Sequence, residues 1–211
     1  MVSVVGYGSL LSERSARETV PGLRNFRLVE VPGYKRIFNK VGVVFFSRHA
    51  EDPDAIEIAS CSTQADDTSS ILCCQFECSE TEYEALYERE HRFNWVEVGT
   101  IDLQGNAAKG LMCTGSSDVE YRSNKCASEA EYFDRVGQYY KGLLWRDDIL
   151  PYPRYLAFCL QAAAGQSPAV LGNFLDHTFL ADGETSIRTY ISQHRFLNDW
   201  RAIDTGYSYL E

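Results

Sequence analysis

Short apolar segments separated by turn residues dominate the first half of the chain. Polar or Pro-Gly segments lie between them, at Pro32-Gly33 and at residues 52–54 and 64–70. A turn at Gly105-Asn106 joins two of the later segments. The predicted strands, rich in Val, Ile, Phe, Tyr and Cys, cover residues 2–5, 26–31, 34–38, 43–46, 56–61, 71–78, 96–103 and 110–114.

Helical patterns replace the strand patterns after about residue 128. An S-x-x-E capping box at Ser79 predicts one earlier helix, over about residues 79–92, and a second box at Ser128 opens the helical part. Further helices are predicted at residues 153–164, 168–179 and 185–192. We therefore predict an α+β fold. Residues 1–120 form its strand-rich part, and residues 121–211 form helices packed on that part as a single structural unit.

Composition and charge narrow the class of protein. The chain has 211 residues, of which 45% are hydrophobic and 24% charged, a balance that supports one globular core. A formal net charge of -10 argues against general binding to a nucleic-acid backbone. No apolar run approaches the roughly 18 residues of a membrane span, and the N-terminus lacks the basic segment of a signal peptide. Seven cysteines, an odd number, then favour free thiols in a reduced, cytoplasmic protein.

The turn after the first strand is the most informative segment. It contains two glycines, which let other groups approach the backbone closely. Successive N–H groups in such a turn can bind an anion or a carbonyl oxygen, although a tight strand-ending turn explains the glycines equally well. A dinucleotide-binding turn is disfavoured, because Leu11 stands at the third-glycine position and Pro21-Gly22 would interrupt the crossover helix. The residues of the turn are Gly6, Tyr7, Gly8, Ser9, Leu10 and Leu11.

A carboxylate continues the apolar face of the first predicted helix. Tyr83, Leu86 and Tyr87 share that face, and Glu90 follows at position i+7. An anion there is costly to bury, so Glu90 should favour its protonated form unless a cation pairs with it. Such a carboxyl group can serve as a general acid and base. The alternative is that Glu90 reaches water at a frayed helix end or pairs with Arg92.

The cysteines and histidines show no catalytic or metal-binding pattern, so no metal is predicted. Cys73, Cys74 and Cys78 share one predicted strand, and their spacing is not that of a zinc site. Strand alternation places Cys73 and Cys74 on opposite faces, as small buried hydrophobic residues. His91 is predicted to lie at the surface.

Three segments resemble motifs of the γ-glutamylcyclotransferase superfamily. Residues 5–11, V-G-Y-G-S-L-L, resemble its Y-G-S-[NL]-L motif and are closer to the ChaC-like branch. Residues 31–39, V-P-G-Y-K-R-I-F-N, are similar to its G-[YF]-x-R-x-F strand. Residues 86–90, L-Y-E-R-E, resemble its L-x-x-R-E helix, whose final Glu is the catalytic acid and base. The resemblance covers residues 2–98 and leaves the C-terminal helices out.

The resemblance implies a small, mostly antiparallel β-barrel with flanking helices, a substrate cavity and no cofactor. It assigns acid–base catalysis to Glu90 and substrate binding to Tyr7, Gly8, Ser9, Leu10 and Leu11. The implied reaction, of the carbon–nitrogen lyase or acyltransferase-type cyclisation class, is intramolecular aminolysis that releases 5-oxoproline. The small-molecule substrate would be glutathione, a γ-glutamyl amino acid or a γ-glutamyl-amine, and the enzyme a monomer or homodimer without nucleic-acid or membrane partners.

A non-catalytic domain that binds a small molecule or a protein and keeps this fold is the alternative. The divergent strand at Cys73-Cys74 and the unmatched helical part favour it, whereas the intact Glu90 argues against it.

Overall fold

The computed structural model describes residues 1–49, 52 and 54–206, without the side chains of residues 48, 49, 195 and 196. Part of the predicted loop at 52–54 thus lies outside the described residues. The strands are β1 Val2–Gly6, β2 Arg24–Val41, β3 Glu57–Cys78, β4 Asn94–Asp102, β5 Ala107–Thr114, β6 Leu150–Pro151 and β7 Thr178–Leu180. The α-helices are α1 Glu13–Thr19, α2 Val43–His49, α3 Glu80–Arg89, α4 Asp118–Lys125, α5 Glu129–Tyr132, α6 Pro153–Gln166, α7 Pro168–Asp176, α8 Ile187–Gln193 and α9 Arg195–Asn198.

Five of these strands close into a barrel. The ring runs β3-β1-β5-β4-β2 and is completed by the pairing of β2 with β3. The β1–β5 pair is parallel and the other four pairs are antiparallel. The short strands β6 and β7 pair in parallel with β3 and β2. The predicted α+β fold with a small, mostly antiparallel barrel is therefore confirmed.

The strands β2 and β3 are longer than the sequence predicts. Pro32-Gly33, predicted to end a strand, instead forms an irregularity between Pro32 and Tyr34, with Gly33 at a φ of +79°. The predicted loop at residues 64–70 was wrong, because these residues belong to β3, in which Gln64, Ala65 and Ser70 pair with β2. The bulge accommodates Pro32, which has no N–H to donate to the neighbouring strand. Polar residues can form this part of β3 because most side chains of residues 64–70 face water.

A helix replaces the strand predicted at residues 43–46. Helix α2 buries Val43 and Phe45, and the Phe45 ring stacks on Tyr152 with the ring centroids 4.2 Å apart. A short apolar segment fits either a strand or a buried helix, and tertiary packing selected the helix here.

The capping box at Ser79 is confirmed. The Ser79 hydroxyl accepts from the Glu82 N–H, and the Glu82 carboxylate accepts from the Ser79 N–H. Helix α3 ends at Arg89, three residues before the predicted end. Helix α4 was not predicted, although Ser117 and Glu120 form the same box at its start.

The C-terminal helices differ from the prediction mainly at their ends. Gly165 lies inside α6 rather than after it, and α7 stops at Asp176, so that Phe179 belongs to β7. One hydrophobic cluster contains Phe38 and Ile71 of the barrel together with Phe174 of α7. The division near residue 120 stays a prediction. Among the described residues, no helix has the length and apolar character to cross a membrane.

The buried thiols follow the predicted alternation, whereas His91 does not follow its prediction. Cys73 and Cys74 pack in different hydrophobic clusters, and each of the seven cysteines is a free thiol. His91, predicted at the surface, is buried, with its Nδ1 3.3 Å from the Tyr121 hydroxyl. Tyr121 lies on the unpredicted helix α4, which explains the error.

Candidate active site

A cavity of about 570 Å³ opens between the glycine turn, α2 and the end of α3. Its wall brings together the predicted residues Tyr7, Gly8, Ser9, Leu10 and Glu90. Leu11 has no place in that wall, because its side chain is fully buried in the hydrophobic core.

Close packing explains both glycines of the turn. Strand β1 ends at Gly6, where a Cβ would collide with the Leu10 side chain. A Cβ at Gly8 would lie 3.1 Å from the Tyr155 hydroxyl. Residues Ser9–Leu11 form a 3₁₀ turn, in which the Leu11 N–H donates to the Gly8 carbonyl at 3.0 Å. The first N–H groups of such a turn have no partner within it, which leaves donors beside the cavity.

The buried Arg36 side chain fixes the turn from beneath. Its Nε donates to the Tyr7 carbonyl at 2.8 Å, and its other nitrogens donate to the Leu72 carbonyl and, at 3.2 Å, to Asn173 Oδ1. The guanidinium also lies 4.9 Å from the centroid of the Phe174 ring. Arg36 is the arginine of the G-[YF]-x-R-x-F-like strand, so the second motif positions the first.

Asn173 on α7 connects this arginine to the barrel wall. Its Oδ1 also accepts from the Leu72 N–H at 2.7 Å, and its Nδ2 donates to the Ser70 carbonyl at 2.9 Å. One amide therefore joins α7 to both the backbone of β3 and the side chain that holds the turn.

Glu90 stands at the C-terminal end of α3, where its N–H donates to the Leu86 carbonyl at 2.9 Å. Its side chain is 21% exposed, and a carboxylate oxygen lies 3.1 Å from Arg89 Nε. Arg89 also donates to the Thr19 hydroxyl at 2.6 Å. The cation that pairs with Glu90 is thus Arg89, not the Arg92 considered from the sequence.

The buried Tyr7 hydroxyl lies close enough to Glu90 for the Glu90 charge to affect its pKa. Burial raises the pKa of the Tyr7 hydroxyl well above its usual value, and the neighbouring Cys113, Cys61 and Glu90 raise it further. The hydroxyl therefore stays protonated at neutral pH. Burial also raises the pKa of the Cys113 thiol well above its usual value, which argues against a thiolate nucleophile in the cavity.

Lys40 and Arg92 are cavity residues that sequence reasoning missed. Lys40 is 6% exposed, and its Nζ lies 4.6 Å from the centroid of the Phe93 ring. Burial and the Arg92 charge lower the pKa of Lys40 to about 7, against the opposing effect of Glu90. The one available signal was that Lys40 stands close to the apolar residues Ile37, Phe38 and Val41 in the sequence.

The helical part also contributes to the wall, through Tyr139 and through Tyr155 of α6. Both residues lie outside the segments that resemble family motifs, and no local sequence pattern predicts that they belong to the site. The candidate site thus includes residues from both sides of the predicted division near residue 120.

Comparison with solved structures gives the γ-glutamyl cyclotransferase-like fold. A γ-glutamyl cyclotransferase aligns with a TM-score of 0.54 and 9% identity, over 96% of this chain and 88% of that chain. An uncharacterized protein from Homo sapiens aligns with a TM-score of 0.51 and 11% identity, over 97% and 89%. YkqA from Bacillus subtilis aligns with a TM-score of 0.50 and 12% identity, over 81% and 51%.

The sequence itself matches no protein-family model and no curated protein. The solved structures thus confirm the resemblance at the level of the fold alone, and the ChaC-like branch stays a prediction.

Proposed function

We propose that this protein is a γ-glutamylcyclotransferase-type enzyme that releases 5-oxoproline from a γ-glutamyl compound. The observation that carries the proposal is that the Glu90 carboxylate and the glycine turn of residues 7–10, distant in sequence, line one cavity. The shared fold with a γ-glutamyl cyclotransferase supports the same reaction class.

In this proposal the cavity folds the γ-glutamyl group back on itself. The attacking amine and the attacked carbonyl belong to one molecule, so correct placement supplies much of the rate advantage. N–H donors at Ser9 and Leu10 hold substrate oxygens and stabilise the negative charge that develops on the γ-carbonyl oxygen. Arg36 keeps these donors in place through the Tyr7 carbonyl.

Glu90 carries the proton between the two nitrogens. Its carboxylate accepts a proton from the α-ammonium group, and the freed amine nitrogen forms a bond to the γ-carbon. As the tetrahedral intermediate collapses, the scissile C–N bond breaks and Glu90 returns the proton to the leaving nitrogen. The ring nitrogen gives up its second excess proton as the lactam forms, and that proton converts the released amine to its ammonium form. The products are 5-oxoproline and a free amine, amino acid or peptide, and the carboxylate is regenerated.

An assay of 5-oxoproline release tests this function. The purified protein is incubated with glutathione, a γ-glutamyl amino acid and a γ-glutamyl-amine, with the Glu90→Gln variant as the control for contaminating activity. We expect release from at least one compound by the wild type only. Binding of these compounds without release would contradict the proposal and support the non-catalytic binding domain.

A further inference from the structure

The candidate cavity contains more cationic than anionic side chains. Lys40, Arg89 and Arg92 line it, against the carboxylates of Glu18 and Glu90 among the described residues. Glu90 is already paired with Arg89. A ligand with a net negative charge therefore complements this wall better than a ligand whose charges cancel.

Lys40 holds its amino group in this wall with no hydrogen bond or ion pair to any described side chain. Its described contact is the face of the Phe93 ring, 4.6 Å from Nζ. A buried ammonium without an anionic partner is costly, and a ligand carboxylate would remove that cost. Burial and the Arg92 charge lower its pKa to about 7, against the opposing effects of the Glu90 carboxylate and the titratable Cys113 thiol.

Arg92 places a second cation in the wall of the same cavity. Its Nη2 donates to the Arg135 carbonyl at 2.6 Å, which anchors the guanidinium. Its Nε–H is fully buried and has no hydrogen-bond partner among the described residues. Burial and the Arg135 charge lower the pKa of Arg92, while Tyr121 and Glu90 raise it. An anchored guanidinium in the cavity wall is suited to donate hydrogen bonds to a carboxylate.

We infer that Lys40 and Arg92 form a subsite for a carboxylate on the leaving group of the substrate, which rests on the proposed function. The substrates are then γ-glutamyl amino acids or peptides, not γ-glutamyl-amines. The α-ammonium and α-carboxylate of the γ-glutamyl group cancel, so the carboxylate of the leaving amino acid gives these substrates their net negative charge. Glu90 and the glycine turn take the γ-glutamyl half, and the two cations take the other half.

A matched substrate pair tests the subsite. γ-Glutamyl-alanine and γ-glutamyl-ethylamine share one skeleton and differ by the carboxylate alone. We expect the wild type to show a kcat/KM at least roughly tenfold higher for γ-glutamyl-alanine. In the Lys40→Met variant this ratio should fall by roughly 10- to 100-fold, the range of a hydrogen bond to a charged group. Arg92→Met should lower the ratio in the same direction.

Lys35→Met is the matched control, since Lys35 lies on the same strand, pairs with Asp66 and does not line the cavity. It should keep the wild-type ratio. A wild type without preference for γ-glutamyl-alanine, or an unchanged ratio in Lys40→Met, would overturn the subsite even if 5-oxoproline is released.

Calorimetric titration of the Glu90→Gln variant with the same two compounds separates this inference from the proposed function. Tighter binding of γ-glutamyl-alanine supports the subsite even if the wild type releases no 5-oxoproline, an outcome that would contradict the catalytic proposal alone. Equal binding, or binding of neither compound, would overturn the subsite.

Discussion

The Arg36 side chain donates from Nε to the carbonyl oxygen of Tyr7 across 2.8 Å. It also donates to the Leu72 carbonyl and to the side-chain amide oxygen of Asn173. Hydrogen bonds from a charged donor are stronger than those between neutral groups. One such bond from Arg36 holds the turn that borders the cavity. The position of the candidate site therefore depends on how well Arg36 itself is held.

Loss of the Asn173 amide should destabilise the protein. The Asn173→Ala variant leaves an Arg36 nitrogen, the Leu72 N–H and the Ser70 carbonyl without their partner. Because these groups are at least partly buried, we expect the free energy of unfolding in urea to fall by about 2–4 kcal/mol. Gln138→Ala is the control, because it removes an exposed amide that donates to the Asp134 carbonyl. It should change the free energy of unfolding by less than about 0.5 kcal/mol. Equal effects would show that Asn173 has no such role.

The Glu90→Gln variant should lose 5-oxoproline release and keep its fold. Glutamine preserves the shape but cannot carry the proton, so we expect kcat to fall by about 100- to 10,000-fold. The matched control is Glu88→Gln, since Glu88 is exposed and pairs with Arg135 outside the cavity. Circular dichroism verifies the fold of both variants. Full activity of Glu90→Gln would rule out a one-carboxylate mechanism.

Replacing Lys40 with methionine should stabilise the protein most at low pH. The folded-state pKa of Lys40 is about 7 and its ordinary value is 10.5. The unfolded chain therefore binds more protons between these values, and the cost of burying Lys40 falls as the pH rises through that window. The variant's gain in unfolding free energy should be about 3 kcal/mol larger at pH 6 than at pH 9.5.

Urea unfolding of both proteins under reducing conditions measures this difference. The titration of all other groups, including the cysteines, largely cancels between the two proteins. A gain that does not vary with pH would mean that Lys40 has a similar pKa in the folded and unfolded states.

A fragment of residues 1–120 should not fold on its own. It lacks Asn173, the partner of Arg36, and the C-terminal side chains that share a hydrophobic cluster with the barrel. We expect a product whose exposed apolar surface binds a hydrophobic dye. Its near-ultraviolet circular dichroism should be absent, because the aromatic side chains lose their fixed packing. A well-folded, fully active 1–120 fragment would show that the two predicted parts are independent.

Local patterns predicted the parts of the site that depend on local geometry. The glycines follow from the tight approach of Leu10 and Tyr155, and Glu90 follows from the phase of a capped helix. The capping box and the strand alternation at Cys73 were likewise readable, because each involves neighbours within a few residues.

The remaining features depend on tertiary packing, which one sequence does not show. Lys40 and Arg92 join the cavity because β2 and the segment after α3 approach each other in space. His91 is buried because α4 covers it, and Tyr155 reaches Gly8 from a helix that no motif connects to the turn.

The Arg36–Asn173 hydrogen bond joins residues 137 positions apart, and this separation affects synthesis of the chain. When strands β1 to β5 have left the ribosome, Asn173 has not yet been translated. Arg36, which holds the glycine turn, therefore lacks this hydrogen-bond partner until α7 is synthesised. Substitutions in α7 should therefore lower the yield of active protein in cells without contacting the cavity. Stop codons upstream of Asn173 should give products that quality-control proteases remove.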